Sequence, residues 1–292
     1  MKDKKQKIKA KQCPKKLEMR YSVFSAVCAL FLIFNLSFLI SAKAFAAFEM
    51  HPASARLPGR GGWSIADDSL SSLDNSALSF DQFNWEAGRV NFYGISELNG
   101  GFLSLQIPSE NNSINFIYST LKFSSVYRES IYSFALARPM TKNLNAGLRL
   151  NAYQIDITDF EDGIEPRTLY SDYDFALLFK DKYFNFGVSL QSLSSKSVRL
   201  KRVEESADAA ISYGVMFKPV KGAVFGLDYE PGRPINGGLE VEVADALKCA
   251  IGLRQNIFTL GFSLRLPRCR LNFSALLHND LGETYFISVS GI

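Results

Sequence analysis

The sequence predicts an all-β protein: an antiparallel transmembrane β-barrel of about 12 to 14 strands, with a short N-terminal hatch segment after a signal peptide. Three observations predict this class. Apolar and polar residues alternate with a period of two, as in DYDFALLFKDKYFNFGVSLQSL (172–193); the connections between such stretches differ in length at the two ends; and a Lys-rich, then apolar stretch opens the chain. Successive side chains of a strand point to opposite faces, so this period gives strands with one apolar and one polar face.

The chain begins with the layout of a secretory signal. Residues 1–20 are rich in Lys, and the apolar run YSVFSAVCALFLIFNLSFLISAKAFA follows, in which Ala44 and Ala46 fit an Ala-x-Ala cleavage site. We therefore expect residues 1–46 to be a signal peptide. The alternative is an uncleaved anchor, because the run approaches the ~20 apolar residues that span a bilayer. Much of the net charge of +4 lies in this opening, so we expect no nucleic-acid partner.

Residues 47–87 differ in composition from the rest and are expected to form the hatch. They contain Pro, Gly, Ser and Asp, with one short helix-like run near 66–73. Two interpretations of Asp67 and Asp68 stay open: they cap that helix, as Asp often does, or they hold a cation.

From residue 88 to residue 292 the period of two continues, and this part is expected to be the barrel. One face carries bulky apolar residues and the other carries Gly, Ser, Asn and charged residues. Strands are expected near 88–98, 102–108, 113–123, 130–138, 145–156, 172–180, 183–193, 208–217, 223–230, 237–243, 247–255, 258–266, 269–277 and 284–291.

The connections favour a membrane barrel over a soluble sandwich, which would alternate in the same way. TKN, DK, PVKG, VADA and PR are short, whereas ITDFEDGIEPRTLYS and SSKSVRLKRVEESA are long and charged. Short turns at one rim and longer loops at the other are typical of bacterial outer-membrane barrels, and closure satisfies every strand edge in lipid. We expect a location in the outer membrane of a Gram-negative-type bacterium, with the lipid bilayer and the barrel-assembly machinery as partners.

Charged residues on the polar face are candidates for lining the lumen. They could border a solute path, or they could fill the interior as a ladder of ion pairs, and both interpretations remain open. The candidates are Arg149, Asp172, Asp174, Asp228, Lys248, Arg254, Arg265 and Arg270.

Catalytic and metal chemistry have little support in the sequence. The chain has two His, His51 and His278, and no CxxC motif, so we expect no metal and no cofactor. Cys249 and Cys269 occupy apolar positions in the alternation of two predicted strands, and we expect them to be inert thiols. A hydrolase would need a nucleophile near His278, but no Gly-x-Ser-x-Gly motif occurs, so no catalytic residue is predicted.

Residues 59–80, GRGGWSIADDSLSSLDNSALSF, resemble the N-terminal motif of the PorV/PorQ family of outer-membrane proteins, which is related to the FadL-type barrels. In that motif a glycine pair, Ala-Asp-Asp and Asn-Pro-Ala recur. The blocks FALARPMTKNLNAGLRL, GLDYE and LGETYFISVSGI are similar to successive strand blocks of the family, and the resemblance covers most of residues 55–292. The matching hatch residues are Gly61, Gly62, Ala66, Asp67, Asp68, Asn75 and Ala77, with Ser76 in place of the proline.

The resemblance implies a barrel of up to fourteen strands with a hatch in or beneath the lumen. It also implies a role in passage of hydrophobic compounds or in type IX secretion. We expect a channel for a small hydrophobic solute; the alternatives are a secretion or scaffold component with secretion partners, and an outer-membrane hydrolase.

Overall fold

The computed structural model describes residues 51–70, 72–158, 167–194, 197–200, 203–206 and 209–291. The predicted signal peptide lies outside the described residues. Within them, fourteen strands form one closed antiparallel barrel, and two further strands form a separate two-stranded sheet. The predicted fold class, a closed antiparallel barrel of up to fourteen strands, is confirmed.

One short helix and sixteen strands make up the described structure. Helix α1 spans Arg56–Gly59. The strands are β1 (Asn84–Asn91), β2 (Leu98–Pro108), β3 (Ser113–Phe123), β4 (Tyr127–Pro139), β5 (Leu144–Ile157), β6 (Arg167–Lys180), β7 (Phe184–Gln191), β8 (Ser197–Leu200), β9 (Val203–Ser206), β10 (Ala210–Val220), β11 (Ala223–Tyr229), β12 (Asn236–Ala244), β13 (Leu247–Arg254), β14 (Ile257–Arg265), β15 (Cys269–Leu277) and β16 (Thr284–Gly291).

The barrel closes where its first strand pairs with its last. β1 pairs with β16 in antiparallel register, from Glu86 opposite Ser290 to Asn91 opposite Tyr285. Every other barrel strand pairs with its neighbour along the chain, except that β7 pairs with β10 because β8 and β9 form their own sheet between them. Closure leaves no unpaired strand edge, as lipid requires.

The outward face of the barrel is apolar. On β14, Phe258, Leu260 and Phe262 are exposed, whereas the alternate residues Thr259 and Ser263 are buried. Exposed apolar side chains around buried polar ones reverse the pattern of a soluble protein and are typical of a barrel in lipid. No helix among the described residues is long and apolar enough to cross a bilayer.

The two rims of the barrel differ. We call the end with the connections β1–β2, β3–β4, β5–β6, β7–β10, β11–β12, β13–β14 and β15–β16 the long-loop rim, and the other end the short-turn rim. β2–β6 have 11 to 14 residues and β11–β16 have 7 to 9, so the wall is higher on the side of β2–β6.

Three local predictions were wrong. The first predicted strand, 88–98, is interrupted by a turn in which Tyr93 and Gly94 have positive φ of 56° and 68°, so β1 lies earlier and starts at Asn84, before the predicted barrel start at residue 88. The described residues of 66–73 are not helical, and the one described helix is α1. The loop expected between the seventh and eighth barrel strands contains β8 and β9.

Candidate functional site: a segment inside the barrel

The described residues of 51–83 are here called the inner segment, which follows the inner wall of the barrel as far as Phe80. Ser274 of β15 donates a hydrogen bond to the carbonyl of Ala55 over 2.6 Å. Further along, Ser76 donates to the carbonyl of Gly147 on β5 over 3.0 Å. The contacts between these two points fall on successive strands of the ring, so the segment passes around most of the inner circumference before it enters β1.

Glycines build the part of the wall that faces residues 59–66. A Cβ on Gly226 would lie 2.0 Å from the Trp63 ring, and a Cβ on Gly187 would lie 2.1 Å from the carbonyl oxygen of Ile65. At these positions the wall therefore has room for the segment only because it has no side chains. The inward glycines of this row are Gly187, Gly214, Gly226, Gly238, Gly252 and Gly261, on β7 and β10–β14.

A buried ion pair joins helix α1 to the wall. Arg56 Nε donates to Glu240 Oε2 of β12 over 2.6 Å, and a second guanidinium nitrogen donates to the other carboxylate oxygen. Burial opposes the charged form of Arg56, but Glu240 together with Asp67 and Glu86 outweighs burial and raises the pKa of Arg56. Removing one partner of such a pair leaves a buried charge without compensation, which costs about 3–5 kcal/mol.

A second buried cluster lies within the segment itself. Arg60 Nη1 donates to Asp67 Oδ2 over 2.8 Å, and the Arg60 guanidinium carbon lies 3.6 Å from the centroid of the Trp63 ring. All three side chains are buried. The cluster holds residues 60–67 in one compact turn against the glycine row.

Asp228 of β11 binds the segment through its backbone. Its Oδ2 accepts hydrogen bonds from the amides of Ser64 over 2.6 Å and Ile65 over 3.1 Å. A carboxylate that satisfies two buried amides fixes the position of the main chain rather than of one side chain.

The predicted hatch residues lie at turns and contacts of the inner segment. Gly61 and Gly62 have positive φ of 82° and 75°, which favours glycine at both positions. Asp67 and Asp68 do not cap a helix, so that interpretation was wrong. Asp67 accepts from the amide of Ser69 over 2.9 Å in addition to its Arg60 pair, and Asp68 pairs with Lys218 of β10 over 2.7 Å.

Asn75 ties the two ends of the motif together. Its Nδ2 donates to the carbonyl of Ile65 over 2.8 Å, and its Oδ1 accepts from the amide of Ala77 over 2.8 Å. Ala66 and Ala77 are fully buried. Ser76, which takes the place of the proline in the family motif, uses its hydroxyl for the bond to β5, a contact that proline lacks.

Arg149, Asp172 and Asp174 are buried on the inward face of β5 and β6. Arg149 Nη2 donates to the carbonyls of Ser72 over 2.6 Å and Asn75 over 3.0 Å, so it holds the segment. The two aspartates bind the wall instead. Asp174 accepts from Asn151 over 2.7 Å and Asp172 accepts from the Ser194 hydroxyl over 2.8 Å.

The other lumen candidates also lie at inward-facing positions of their strands, but nearer the rims. Lys248 pairs with Glu242 over 3.4 Å, and Arg254 borders Gly62. Arg265 is exposed at the end of β14, and Arg270 is half-buried on β15. The structure thus brings Arg149, Asp228 and Arg254 to the inner segment, whereas Asp172, Asp174 and Lys248 pair elsewhere. A solute path along these residues stays a prediction.

Two small polar cavities of about 100 Å³ and about 110 Å³ border the segment. Gly62, Asp74 and Arg254 line both. The first reaches the connection after β11, where Arg233 pairs with Glu230 over 2.9 Å. Each of these two cavities is therefore polar and far smaller than a continuous pore.

An apolar cluster also lies on the inward face, beneath Ala55. Its members are buried, and they are Ala55 itself with Val90, Phe92, Phe102, Leu276 and Phe286. Phe92 and Phe286 pack edge to face with ring centroids 6.3 Å apart. Two smaller buried apolar clusters include Leu178 of β6 and Met216 of β10. The cluster at Ala55 is the largest of the three among the described residues, so it is the part of the inner wall best suited to an apolar molecule.

The histidines have structural partners. His51 contacts Glu129 over 3.0 Å and Ser119 over 3.3 Å. His278 lies in the connection after β15, 3.2 Å from the Thr284 hydroxyl, and partial burial together with Arg254 lowers its pKa. Among the described residues, no group of three or more His, Cys, Asp or Glu is placed to hold a metal ion.

Sequence reasoning missed several residues that hold the segment. Arg56, Arg60 and Trp63 precede or fall between the motif positions, and Glu240 lies 184 positions after Arg56. The glycine row could have been found from the sequence, because glycine recurs at the polar positions of the alternation in consecutive strands.

Solved barrel structures share the fold of this chain. The toluene transporter TbuX of Ralstonia pickettii is similar with a TM-score of 0.59, at 10% identity over 84% of this chain and 99% of that chain. The toluene transporter TodX of Pseudomonas putida gives 0.59 at 9% identity over 82% and 98%, and a FadL homologue of Pseudomonas aeruginosa gives 0.55 at 8% over 82% and 97%. No protein-family model and no curated protein matches the sequence. The predicted relation to FadL-type barrels is confirmed at the level of the fold.

Proposed function

We propose that the protein is an outer-membrane channel for a small hydrophobic solute and that the inner segment is its hatch. The observation that carries the proposal is the path of the segment around the inside of a closed barrel whose outward face is apolar. The similar structures of TbuX and TodX are described as toluene transporters, which supports a solute of this class.

The apolar cluster beneath Ala55 supports the same solute class. Ala55 covers it, held by the Ser274 bond and by a bond from its own amide to Glu86 over 2.9 Å. A displacement of the whole inner segment, residues 51–58 included, would uncover an apolar wall inside the lumen, next to the long-loop rim where a solute would enter.

The test measures uptake of labelled toluene by cells that carry the protein in their outer membrane, together with its single-channel conductance in planar bilayers. We expect uptake above that of cells without the protein, and at least a tenfold higher conductance when residues 47–83 are deleted. A deletion of residues 197–206, which contain β8 and β9 of the separate two-stranded sheet, is the matched control. Equal conductance with and without residues 47–83 would reject the hatch, and no uptake above background would reject the solute class.

The finer resemblance to PorV/PorQ proteins and a role in secretion stay predictions, as do the barrel-assembly machinery and secretion partners. Their support is the motif around Gly61, Asp67 and Asn75. Most of the long connection expected to hold such partners, 158–166, lies outside the described residues. A pull-down with residues 157–169 deleted separates the two roles, because a channel keeps its uptake and a scaffold loses its partners.

A further inference from the structure

Three cationic side chains lie on the outward face of the barrel near the long-loop rim. Lys122 of β3 and Arg128 of β4 are partners in the strand register, and Arg89 lies on β1. Arg89 and Arg128 are exposed and Lys122 is half-buried. Among the described side chains, no ion pair involves any of the three.

These cations are confined to one side of the barrel. The register neighbour of Arg128 on β5 is Asp156, which accepts from Gln154 over 2.6 Å. On the opposite side, the outward residues of the described strands nearest this rim carry no charge. They are Leu190, Ile211, Tyr229, Gly237, Leu253, Phe258, Leu277 and Tyr285. A general need for cations at the membrane boundary would have placed them all around the rim.

Below the cations the same face becomes apolar and forms a hollow. The rings of Tyr118 and Tyr132 lie 5.1 Å apart. Next to them Tyr132, Ala152 and Ser171 follow one another in register, and the two small residues leave a depression in the wall. The resulting cavity of about 500 Å³ is lined on its apolar side by Phe116, Tyr132, Phe134, Leu150 and Tyr173.

The spacing of the two features matches an amphiphile. Arg128 and Tyr132 are four residues apart on one strand, which is about 14 Å at ~3.4 Å per residue. With strands tilted by about 40°, the separation along the membrane normal is about 10 Å. The cations therefore lie at the level of the head groups while the cavity lies among the acyl chains.

We propose that this face of β3–β6 binds a phosphorylated lipid of the outer leaflet, with its phosphates at Lys122 and Arg128 and one acyl chain in the cavity beside Ala152. Guanidinium and ammonium groups bind phosphate through charge-assisted hydrogen bonds. The long-loop rim of outer-membrane barrels faces outward. A phosphorylated lipid of that leaflet, such as lipid A, has both phosphates and acyl chains to match the two features. The inference rests on the outer-membrane location in the proposed function but not on transport.

The first test measures binding of bisphosphorylated lipid A to the purified full chain in detergent micelles. Wild type is expected to bind it, and to bind dephosphorylated lipid A at least tenfold more weakly. The double variant Lys122→Ala/Arg128→Ala should bind bisphosphorylated lipid A more weakly than wild type by the same factor. Arg138→Ala is the matched control, because Arg138 lies on the same face of β4 at the short-turn rim. Equal binding of the two lipids by wild type, or an equal loss in the control, overturns the head-group assignment.

The second test addresses the acyl chain. Ala152→Phe fills the cavity and should weaken binding of bisphosphorylated lipid A about tenfold, whereas Leu136→Phe, on the outward face outside the cavity, should not. Unchanged binding in Ala152→Phe overturns the chain assignment. The comparison of the two lipids uses the wild-type protein. It therefore tests the head-group assignment even where a variant folds poorly. Toluene uptake measured in the same variants is expected to stay unchanged, which separates failure of the lipid site from failure of the channel.

Discussion

The indole ring of Trp63 occupies the space that a side chain at position 226 would fill. A Cβ on Gly226 would lie 2.0 Å from ring carbon Cδ2, and the Arg60 guanidinium lies 3.6 Å from the centroid of the same ring. The inner segment therefore fits against the barrel wall because the wall has no side chain at this position. Any residue larger than glycine at this position displaces the ring.

Replacement of Gly226 is expected to loosen the inner segment without opening the barrel. In Gly226→Val the added methyl groups overlap the Trp63 ring, so the segment shifts and trypsin cleaves at Arg56 and Arg60 at least tenfold faster in micelles. Gly101→Val is the control, because a Cβ there meets only a carbonyl oxygen 3.4 Å away. Cleavage of both variants at the wild-type rate would show that the glycine row does not determine the fit.

Loss of one charge from the Arg56–Glu240 pair should favour displaced positions of helix α1. Glu240→Gln leaves the buried guanidinium without its counter-charge, at a cost of about 3–5 kcal/mol. We expect frequent openings in single-channel recordings. Glu242→Gln, two residues further on β12 and exposed, should behave as wild type.

The same pair offers a second check. Arg56→Met/Glu240→Leu removes both charges and should be closer to wild type than Glu240→Gln, because an apolar pair avoids the unpaired buried charge. A double variant that opens as often as the single variant would contradict the ion-pair explanation.

Asp228→Ala should free the backbone at Ser64 and Ile65. Their amides lose an acceptor, and an unpaired buried amide costs about 1–3 kcal/mol. The expected result is hydrogen exchange at both amides that is at least tenfold faster. Asp245→Ala, in a short turn, serves as the control, and protection that survives the loss of Asp228 would mean that other contacts hold this turn.

His278→Ala tests the hydrolase alternative. The imidazole packs against Tyr93 with ring centroids 4.9 Å apart and bonds to Thr284, so its loss should change a local contact and leave any ester hydrolysis by the purified protein unchanged. A loss of hydrolysis of a short-chain p-nitrophenyl ester that is specific to this variant would support the hydrolase instead.

The strands could be predicted from the sequence wherever alternation and turns agree. β3, β15 and β16 have the predicted bounds because a side-chain period of two is a local property of the chain. The first predicted strand failed where the alternation continues through the turn at Tyr93. The helix-like run near 66–73 failed because Asp67 turns towards Arg60 and Ser69, and such tertiary contacts override weak local preference.

The candidate site could be predicted only in part. The motif from Gly61 to Ala77 identified the segment, but its partners lie far away in sequence. Arg56 and Glu240 are 184 positions apart, and no local spacing links them. Inward glycines are visible in the alternation, yet what they face depends on the closure of the barrel.

The account depends most on movement of the inner segment away from the wall, and a reversible cross-link tests this directly. In Asp68→Cys/Lys218→Cys, with Cys249 and Cys269 replaced by Ser, a disulfide-containing bis-maleimide can join positions that are paired and partly exposed, at 26% and 28% of their side-chain surface. We predict that toluene uptake by cells falls to background after cross-linking and returns when the linker is reduced. Uptake at an unchanged rate with the segment tied to β10 would contradict the account.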